Sequence, residues 1–546
     1  MNQTNSNFKK QSLDTAKRAA AMTNAVVSPA LTISDEGARR VAIEEACAND
    51  ALLSSMLQSN PKECLGILLS AAAAVSEHHK VTGQKPTDEQ LASVHGVWEN
   101  MYQNNDTLAE SSKGHALMSS VGSATTATES GVAVRATSAA LTLPAILANP
   151  MNVIATYLPA SGYEAEMFDL KRVAGTTLGD YKKGQELTGL TVGQYSRQRQ
   201  RFAFSAAQQP DGTKKQHTFT AKTDTPAKIE LPVHEGAVEI YHNKIKVAKQ
   251  TESGDLYGKI EIGGEVINVT GTVDTDTCAV VVDTSKALPD GSTLEIRFHV
   301  RIEGNKHLIP TVTHKMTSFK LKPTARVLSS QSTIMSNFAM MAEHGVDLFS
   351  LNLSSVRDEI VNEKSLYQLI DLLHATTENE EFSVTPKANE TWKDRFEYFK
   401  VKFLSVENKL RIRNKESGVR AIYAGIGASS FFEGLPTSIF KPVTFIDNNV
   451  RIKQIGVFLG RIPVFQVPQS VEMDELGDDE MLLAGRSDKI GKAPYLTGDV
   501  VPPTIFKSDD DNGLTKTQLV WANGYDDTAP DAHKFLVKLT LKDLNA

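Results

Sequence analysis

The sequence contains little of what marks several familiar protein classes. Only three of its 546 residues are cysteines, Cys47, Cys64 and Cys278, and their spacing fits neither a disulfide framework nor a metal site. The first twenty residues are polar and lack the apolar segment of a signal peptide. The most apolar run, residues 65–75, is about half as long as a membrane-spanning helix. We therefore expect a chain that folds in a reducing cytoplasm and neither enters a membrane nor uses a signal peptide.

Charge and length narrow the possibilities further. The chain carries 58 basic and 65 acidic side chains, a formal net charge of -7, which argues against a dedicated nucleic-acid-binding surface. Hydrophobic residues make up 40% of the chain and charged residues 23%, as in ordinary globular proteins. Because a chain of 546 residues is too long for one compact core, we expect two or more domains.

Signals for an active site are equally scarce. Gly425 and Gly427 follow a predicted strand and open a predicted helix, but the third glycine of a dinucleotide-binding fingerprint is missing. Asp509 and Asp511 begin like a calcium loop, yet Val520 stands where an EF-hand needs its bidentate glutamate. No Ser/His/Asp arrangement can be assigned from the spacing. The sequence thus predicts no catalytic residue, no cofactor and no metal site.

The N-terminal 110 residues carry helix signals. Pro61 suits the first turn of a helix, and Thr87 with Gln90 forms the pattern of a capping box. These signals predict a small helical bundle. Residues 111–140 are rich in Ser, Gly, Ala and Thr, which predicts a flexible linker accessible to a protease.

Residues 226–305 change to short segments in which apolar and polar residues alternate. The clearest segment runs from Leu294 to Ile302, and turns rich in glycine separate the segments. The pattern predicts a small β-barrel or sandwich inserted in a larger domain. A carbohydrate- or host-binding module is the functional alternative, although the segment shows no aromatic platform.

A long amphipathic helix is predicted in the second half of residues 332–375. Its apolar positions recur at three-, four- or seven-residue steps at Leu353, Val356, Ile360, Tyr367, Ile370 and Leu373. The polar face comprises Arg357, Asp358, Glu359, Asn362, Glu363 and Lys364. Helix and strand patterns then alternate over residues 391–467. Together with the β-rich segment, this order predicts an α+β fold.

Short stretches around this helix resemble the major capsid proteins of tailed bacteriophages. Phe319–Arg326, Ala342–Asp347 and Asp358–Glu363 are similar to that family's Lys- and Ala-rich strand, its turn and its long spine helix. The resemblance is to the Hong Kong 97-type fold, T-even-like myovirus branch. Other short patterns, such as Phe168–Arg172 and Ala493–Tyr495, follow in family order over most of residues 140–546.

The resemblance implies seven segments. They are a helical N-terminal extension that acts as a scaffold or arm (1–110), a flexible N-arm (111–160), an extended loop with part of a peripheral domain (161–225), the β-rich insertion domain (226–305), the peripheral domain with its spine helix (306–385), an axial domain (386–500) and a return to the peripheral domain (501–546). The extended loop is expected to be two-stranded and to reach over a neighbouring subunit.

The resemblance also points to a cleavage site. In the T-even-like branch the prohead protease cuts after a glutamate that has Leu or Ile two residues before it. Leu108 and Glu110 fit this pattern at the edge of the flexible linker, so the predicted cut lies between Glu110 and Ser111. Ile43 and Glu45 fit as well, but they lie inside a predicted helix.

Basic residues of the predicted extended loop are the candidate contacts between subunits. They are Lys182, Lys183, Arg197, Arg199 and Arg201. We favour salt bridges between subunits because the guanidinium fork suits interfaces. The nearby aromatic residues keep a nucleic-acid patch open as an alternative.

The resemblance therefore predicts the major capsid protein of a tailed double-stranded DNA bacteriophage, a structural protein rather than an enzyme. Copies of the chain would assemble into the hexamers and pentamers of an icosahedral head that encloses the genome. Expected partners are scaffold, portal, prohead protease and decoration proteins, with assembly in the host cytoplasm and a final place in the virion. The alternative is a multidomain cytoplasmic enzyme with a nucleotide-binding α/β domain at residues 390–470.

Overall fold

The chain divides into two units, Met1–Asp169 with Thr317–Ala546, and Leu170–Met316. We refer to the first as the α/β unit and to the second as the β unit. The structure is a computed structural model that describes residues 2–82, 85–102, 139–140, 142–147, 149–158, 164–187, 193–345, 348–387, 390–443, 451–468, 475–487, 492–509 and 515–544.

Capping side chains lie at the starts of several helices described in the N-terminal part of the α/β unit. These helices are α1 (Asn2–Met22), α2 (Ser28–Thr32), α3 (Glu36–Cys47), α4 (Ala51–Ser59), α5 (Pro61–Thr82) and α6 (Asp88–Tyr102). The Asp35 and Asp50 carboxylates accept backbone N–H hydrogen bonds at the starts of α3 and α4. Thr87 and Gln90 exchange the two hydrogen bonds of a capping box before α6. Both residues of the predicted box therefore make the expected contacts.

These helices share one hydrophobic core with residues that follow them at a distance in the sequence. Trp98 is fully buried, and its Nε1 donates a hydrogen bond of 3.1 Å to the Ala139 carbonyl oxygen. Residues 142–147 are helical, and Leu143 and Ile146 belong to the same core. This part of the segment expected to be a flexible arm is packed instead, because its apolar side chains complete the helical core.

The strands are numbered in chain order. They are β1 (Ala155–Tyr157), β2 (Ala165–Ala174), β3 (Arg199–Ala203), β4 (Gln216–Thr220), β5 (Glu239–His242), β6 (Ile245–Gln250), β7 (Asp255–Ile262), β8 (Glu265–Asp274), β9 (Ala279–Thr284), β10 (Leu294–His299), β11 (Val312–Leu321), β12 (Thr324–Thr333), β13 (Asn379–Ser383), β14 (Val419–Ala424), β15 (Phe440–Pro442), β16 (Lys453–Phe458), β17 (Ile462–Gln466), β18 (Glu480–Gly485), β19 (Tyr495–Asp509), β20 (Thr515–Thr528) and β21 (Leu536–Lys542). The remaining α-helices described are Ala221–Asp224, Ile334–His344, Leu348–His374, Trp392–Asn414 and Ile426–Glu433.

The β unit is built on an eight-stranded antiparallel sheet in the order β3-β10-β5-β6-β7-β8-β9-β4. Alternate residues of its strands point into one core. Phe202 of edge strand β3 stacks on Phe219 of edge strand β4, with ring centroids 6.4 Å apart. The two edges of the sheet therefore meet at one core, which gives the unit a barrel-like shape.

The β unit begins earlier in the chain than predicted, at Leu170 rather than at residue 226. The two strands expected to pair as an extended loop, β3 and β4, pair instead with β10 and β9. The physical reason is that Phe202, Phe204 and Phe219 are apolar and pack into the core of the eight-stranded sheet.

The helix Leu348–His374, called here the long helix, contacts two sheets. Its first half packs Val356 and Ile360 against Val520 of β20, which belongs to a four-stranded sheet in the order β1-β19-β20-β12. Its second half buries Leu369 and Leu372 in a core shared with the seven-stranded sheet described below. The long helix therefore connects the two layers of the α/β unit.

Two side chains of the long helix lie on the opposite side from the one predicted. Tyr367, assigned to the apolar face, is 54% exposed. Lys364, assigned to the polar face, has a side chain that is only 12% exposed. The difference arises because the neighbouring sheet supplies carboxylates to this part of the helix, so the buried stripe includes polar positions.

The C-terminal half of the α/β unit contains a seven-stranded mixed sheet in the order β13-β21-β18-β14-β17-β16-β15. β14 pairs in parallel with β17 and antiparallel with β18. Residues 501–546 were expected to return to the peripheral domain. Their strands instead divide between two sheets: β20 pairs with β12 in the four-stranded sheet, whereas β21 joins the seven-stranded sheet between β13 and β18. No helix in the described ranges is long and apolar enough to cross a membrane.

Candidate assembly surfaces

Lys182 and Lys183 lie at a tight turn of the β unit. Gly179 and Gly184 flank them with positive φ angles of 63° and 86°, which lets the chain reverse direction sharply. The backbone N–H of Lys183 donates to the Thr177 hydroxyl oxygen (3.0 Å). Both lysine side chains are exposed, so the turn presents two ammonium groups to the surroundings.

Arg199 and Arg201 of β3 are already paired within the chain. Arg199 Nη2 lies 2.6 Å from Glu239 Oε2, and Arg201 Nε lies 2.7 Å from Glu295 Oε2. Each arginine side chain is nearly half exposed, and a guanidinium group has five N–H donors. These pairs thus orient the two side chains, while Arg197, just before β3, is exposed. A contact with a neighbouring subunit stays a prediction for all three.

The Glu239 carboxylate forms ion pairs with two basic side chains of this surface, Arg199 and Lys246. Burial alone raises its pKa, but hydrogen bonds from Lys246, Arg199 and Tyr241 outweigh it and lower the pKa of Glu239 to about 2. Lys246 Nζ lies 2.6 Å from Glu239 Oε1. The carboxylate, on β5, therefore stays charged at neutral pH and holds the basic side chains of Arg199 on β3 and Lys246 on β6.

The predicted cleavage residues Leu108, Glu110 and Ser111 lie outside the described residues.

A surface that the sequence analysis missed lies on the helix Ile334–His344, called here the apolar-faced helix. Its side chains include Met335, Phe338 and Met341, which are 73%, 71% and 57% exposed, and the helix contains no buried residue. The three residues follow at steps of three, so they lie on one face of the helix. The three-residue spacing could have indicated an apolar helix face. The sequence alone does not reveal that this face stays exposed in the described part of the chain.

The apolar-faced helix is nevertheless well formed. The Thr333 hydroxyl accepts the Ser336 N–H hydrogen bond at its start, and Gly345 ends it in the left-handed conformation. The helix follows directly on β12, which is an outer strand of the four-stranded sheet. One edge of β12 pairs with β20, and its other edge has no partner strand among the described residues. An exposed apolar helix beside an open strand edge is a combination that favours contact with another chain.

A buried ionic network fixes the long helix to the four-stranded sheet. Lys364 Nζ lies 3.0 Å from Asp499 Oδ1 and 3.9 Å from Asp526 Oδ1. Arg326 Nη1 lies 2.7 Å from the other oxygen of Asp526, whose side chain is 2% exposed. Burial lowers the pKa of Lys364, but the two carboxylates outweigh it and raise the pKa above its ordinary value. The ammonium group is therefore held charged inside the protein.

Gln368, one turn further along the long helix, extends this network to other segments. It is fully buried, and its Nε2 donates a hydrogen bond of 2.6 Å to Asp526 Oδ1. Its Oε1 accepts a hydrogen bond of 3.0 Å from Asn149 Nδ2. One side chain thus connects the long helix both to β20 and to the segment that leaves the helical core.

The loop of residues 477–479 packs against the glycine turn that follows β14. The Ala428 N–H donates to the Asp478 carbonyl oxygen (2.9 Å). A Cβ atom at Gly425 would lie 2.4 Å from the Gly477 carbonyl oxygen, and one at Gly427 would lie 2.2 Å from Asp479 Oδ1. The glycines therefore allow a close approach of the neighbouring loop, which occupies the place a pyrophosphate would need. In the part of the chain that the structure describes, no group of three His, Cys, Asp or Glu side chains is arranged to hold a metal ion.

A family model described as "Domain of unknown function (DUF8615)" matches residues 3–149. These bounds enclose α1 except for its first residue, the helices α2–α6, and the residues 142–147 that complete their core. The match covers the helical part alone, and the rest of the chain lies outside it. No protein of curated function matches the chain.

Several similar solved structures are phage capsids. A chain of the icosahedrally averaged jumbo bacteriophage PhiKZ capsid is 8% identical, covers 70% of this chain and 90% of its own length, and has a TM-score of 0.32. The capsid of Myoviridae phage XM1 gives 9% identity, 66% and 95% coverage and a TM-score of 0.29. The capsid of Helicobacter pylori bacteriophage KHP30 gives 11% identity, 44% and 78% coverage and a TM-score of 0.29. TM-scores this low establish neither a shared fold nor a shared function.

Proposed function

We propose that this chain is the major capsid protein of a tailed double-stranded DNA bacteriophage, with a Hong Kong 97-type fold of the T-even-like branch. Copies of it form the hexamers and pentamers of an icosahedral head that encloses the genome. The protein is structural, is assembled in the host cytoplasm and resides in the virion. Its partners are further copies of itself and the scaffold, portal, prohead protease and decoration proteins.

The observation that carries this proposal is the exposed apolar-faced helix next to the open edge of β12. Burying Met335, Phe338 and Met341 would remove three large side chains from water, and each fully buried side chain of this size contributes roughly 1.5–3 kcal/mol. A monomeric protein gains nothing from keeping such a face exposed. A shell subunit needs faces of this kind, because ring-closing contacts bury a different patch on each neighbour.

The long helix and the network around Lys364 support the same proposal. A shell subunit has to transmit contact forces between its layers without local unfolding. The long helix packs on both sheets of the α/β unit, and its buried polar contacts fix one register along β19 and β20. This rigidity agrees with the spine helix that the sequence resemblance implies.

Electron microscopy of the full chain, expressed alone and with its neighbouring virion proteins, tests the proposal. Icosahedral or tubular assemblies are the expected result. Intact-mass analysis of the shell subunit tests the cleavage, since a mass that starts at Ser111 is expected if the prohead protease acts after Glu110. A small oligomer that never assembles, and whose melting temperature rises with nucleotides, would favour the enzyme alternative.

A further inference from the structure

A cavity of about 520 Å³ lies in the α/β unit, where the helix Trp392–Asn414 ends and β14 begins. Five basic side chains line it: Arg411, Lys415, Arg420, Arg461 and Arg486. They come from three separate stretches of the chain, around residues 411–420, 461 and 486, so only the folded unit brings them together. We propose that this cavity is a binding site for a small anion of the phosphate class, such as pyrophosphate.

The charges around the cavity leave an excess of cations. Glu407, 2% exposed, accepts hydrogen bonds from both Nη atoms of Arg461 (2.6 and 3.0 Å) and from Arg411 Nη2 (2.9 Å). Glu416 also lines the cavity, and Glu89 pairs with Arg486 at 2.7 Å. Five cations against these three carboxylates leave two positive charges. A divalent or more highly charged anion would balance them.

Two buried donors at the cavity have no acceptor in the described part of the chain. The Arg486 side chain is 9% exposed; its Nη2 is used by Glu89, but its Nε is buried without a hydrogen-bond partner. The Ser417 hydroxyl is buried and unpartnered as well. Unpaired buried polar atoms are rare and costly in folded proteins. An acceptor-rich ligand in the cavity would satisfy both.

The shape of the donors favours phosphate over other anions. Guanidinium groups bind phosphate oxygens through parallel N–H donors, and three of the arginines keep N–H groups that Glu407 and Glu89 do not use. The volume lies within the roughly 300–1,000 Å³ of small-molecule sites. The cavity lies at the amino end of β14, whereas the filled glycine turn follows its carboxyl end, so the site is unrelated to a dinucleotide fold.

Isothermal titration of the full-length chain with sodium pyrophosphate, at an ionic strength held constant with chloride, tests the site. Saturable binding with one ion per chain is expected. Lys415 is half-buried and Arg420 is exposed, so neither side chain belongs to a core. The variant Lys415→Met with Arg420→Met is therefore expected to keep the fold, and its Kd is expected to rise about tenfold or more. Ser417→Ala, which leaves the net charge unchanged, is expected to weaken binding as well.

The matched control is Lys222→Met with Lys393→Met, which removes two exposed positive charges elsewhere and should leave the Kd unchanged. Absence of saturable binding by the original chain would overturn the proposal, as would equal weakening in the control. Displacement of pyrophosphate by a short DNA oligonucleotide would assign the surface to nucleic acid and overturn it too. Shell assembly does not enter these measurements, so their outcome is independent of the proposed capsid function.

Discussion

At the scale of single residues, Lys364 stabilises the packing of the long helix against the four-stranded sheet. Lys364→Met leaves the carboxylates of Asp499 and Asp526 without their ammonium partner inside the protein. Breaking a buried ion pair in this way costs about 3–5 kcal/mol. We expect urea unfolding of the variant to show a loss of this size in the free energy of unfolding. Lys286→Met, which removes a 59% exposed lysine, should change it by less than about 0.5 kcal/mol.

The ion pair between Arg199 and Glu239 gives a prediction about pH. Because the pKa of Glu239 is lowered to about 2, its contribution to stability is fully present above the ordinary value near 4.5 and is lost as the pH falls toward 2. Arg199→Met should therefore lower the melting temperature at pH 6 and make little difference near pH 2. The effect is small, about 1 kcal/mol or less, because Arg199 is 47% exposed.

Scanning calorimetry between pH 2 and pH 6 measures this difference. Arg197→Met is the matched control, since it removes an exposed arginine just before the same strand. A pH-independent difference for Arg199→Met, or the same pH dependence for the control, would show that the pair with Glu239 does not act as argued.

At the scale of elements, the apolar-faced helix separates assembly from folding. Met335→Gln, Phe338→Gln and Met341→Gln together should leave the melting temperature of the unassembled chain nearly unchanged, because this helix contains no buried residue. The same variant should fail to form shells, because the face would no longer exclude water between copies. Sedimentation velocity and electron microscopy measure the two outcomes.

Glu343→Gln is the control for this experiment. Glu343 lies on the opposite face of the same helix, is exposed and carries no large apolar side chain. It should assemble as the original chain does. Normal shells from the triple variant would rule out this face as the contact on which the proposed function depends.

The helical core gives a second prediction at this scale. Leu143 is fully buried among the N-terminal helices, so Leu143→Ala should cost about 2–5 kcal/mol. Urea unfolding followed by far-UV circular dichroism would detect it as an earlier loss of helix signal. Leu13→Ala, at a position 56% exposed, should have almost no effect. Equal behaviour of the two variants would mean that residues 139–147 are not part of this core.

At the scale of the whole molecule, cleavage after Glu110 would not by itself release the N-terminal helices. Residues on both sides of the cut share one core, through Trp98 on one side and Leu143 with Ile146 on the other. Glu89 of α6 also pairs with Arg486. A chain cut at an engineered protease site after Glu110 should therefore elute as one complex in gel filtration and separate only in denaturant.

Release of residues 1–110 in native buffer would contradict this expectation. The variant Leu143→Ala with Ile146→Ala should shift the cut chain toward release, because it removes apolar side chains from the shared core. Under the proposed capsid function, removal of this segment would then require a second step after the cut, such as further proteolysis.

Local signals in the sequence determined those features that depend on neighbours a few residues apart. The capping box of Thr87 and Gln90 could be predicted because both hydrogen bonds close within one turn of helix. The alternation from Leu294 to Phe298 predicted β10 because a strand exposes every second residue to the same side. The mixture of such helix and strand signals was enough to predict the α+β class and the presence of the long helix.

Tertiary structure alone decided which distant segments meet. β3 and β4 look like the two arms of a loop in the sequence, but Phe202 and Phe219 place them at opposite edges of one sheet. Lys364 fits the polar face of a helix, and only the partners Asp499 and Asp526, far along the chain, make it a buried cation. The proposed anion cavity unites side chains from three separate stretches of the chain. No local pattern encodes such contacts, because they depend on how sheets and helices pack.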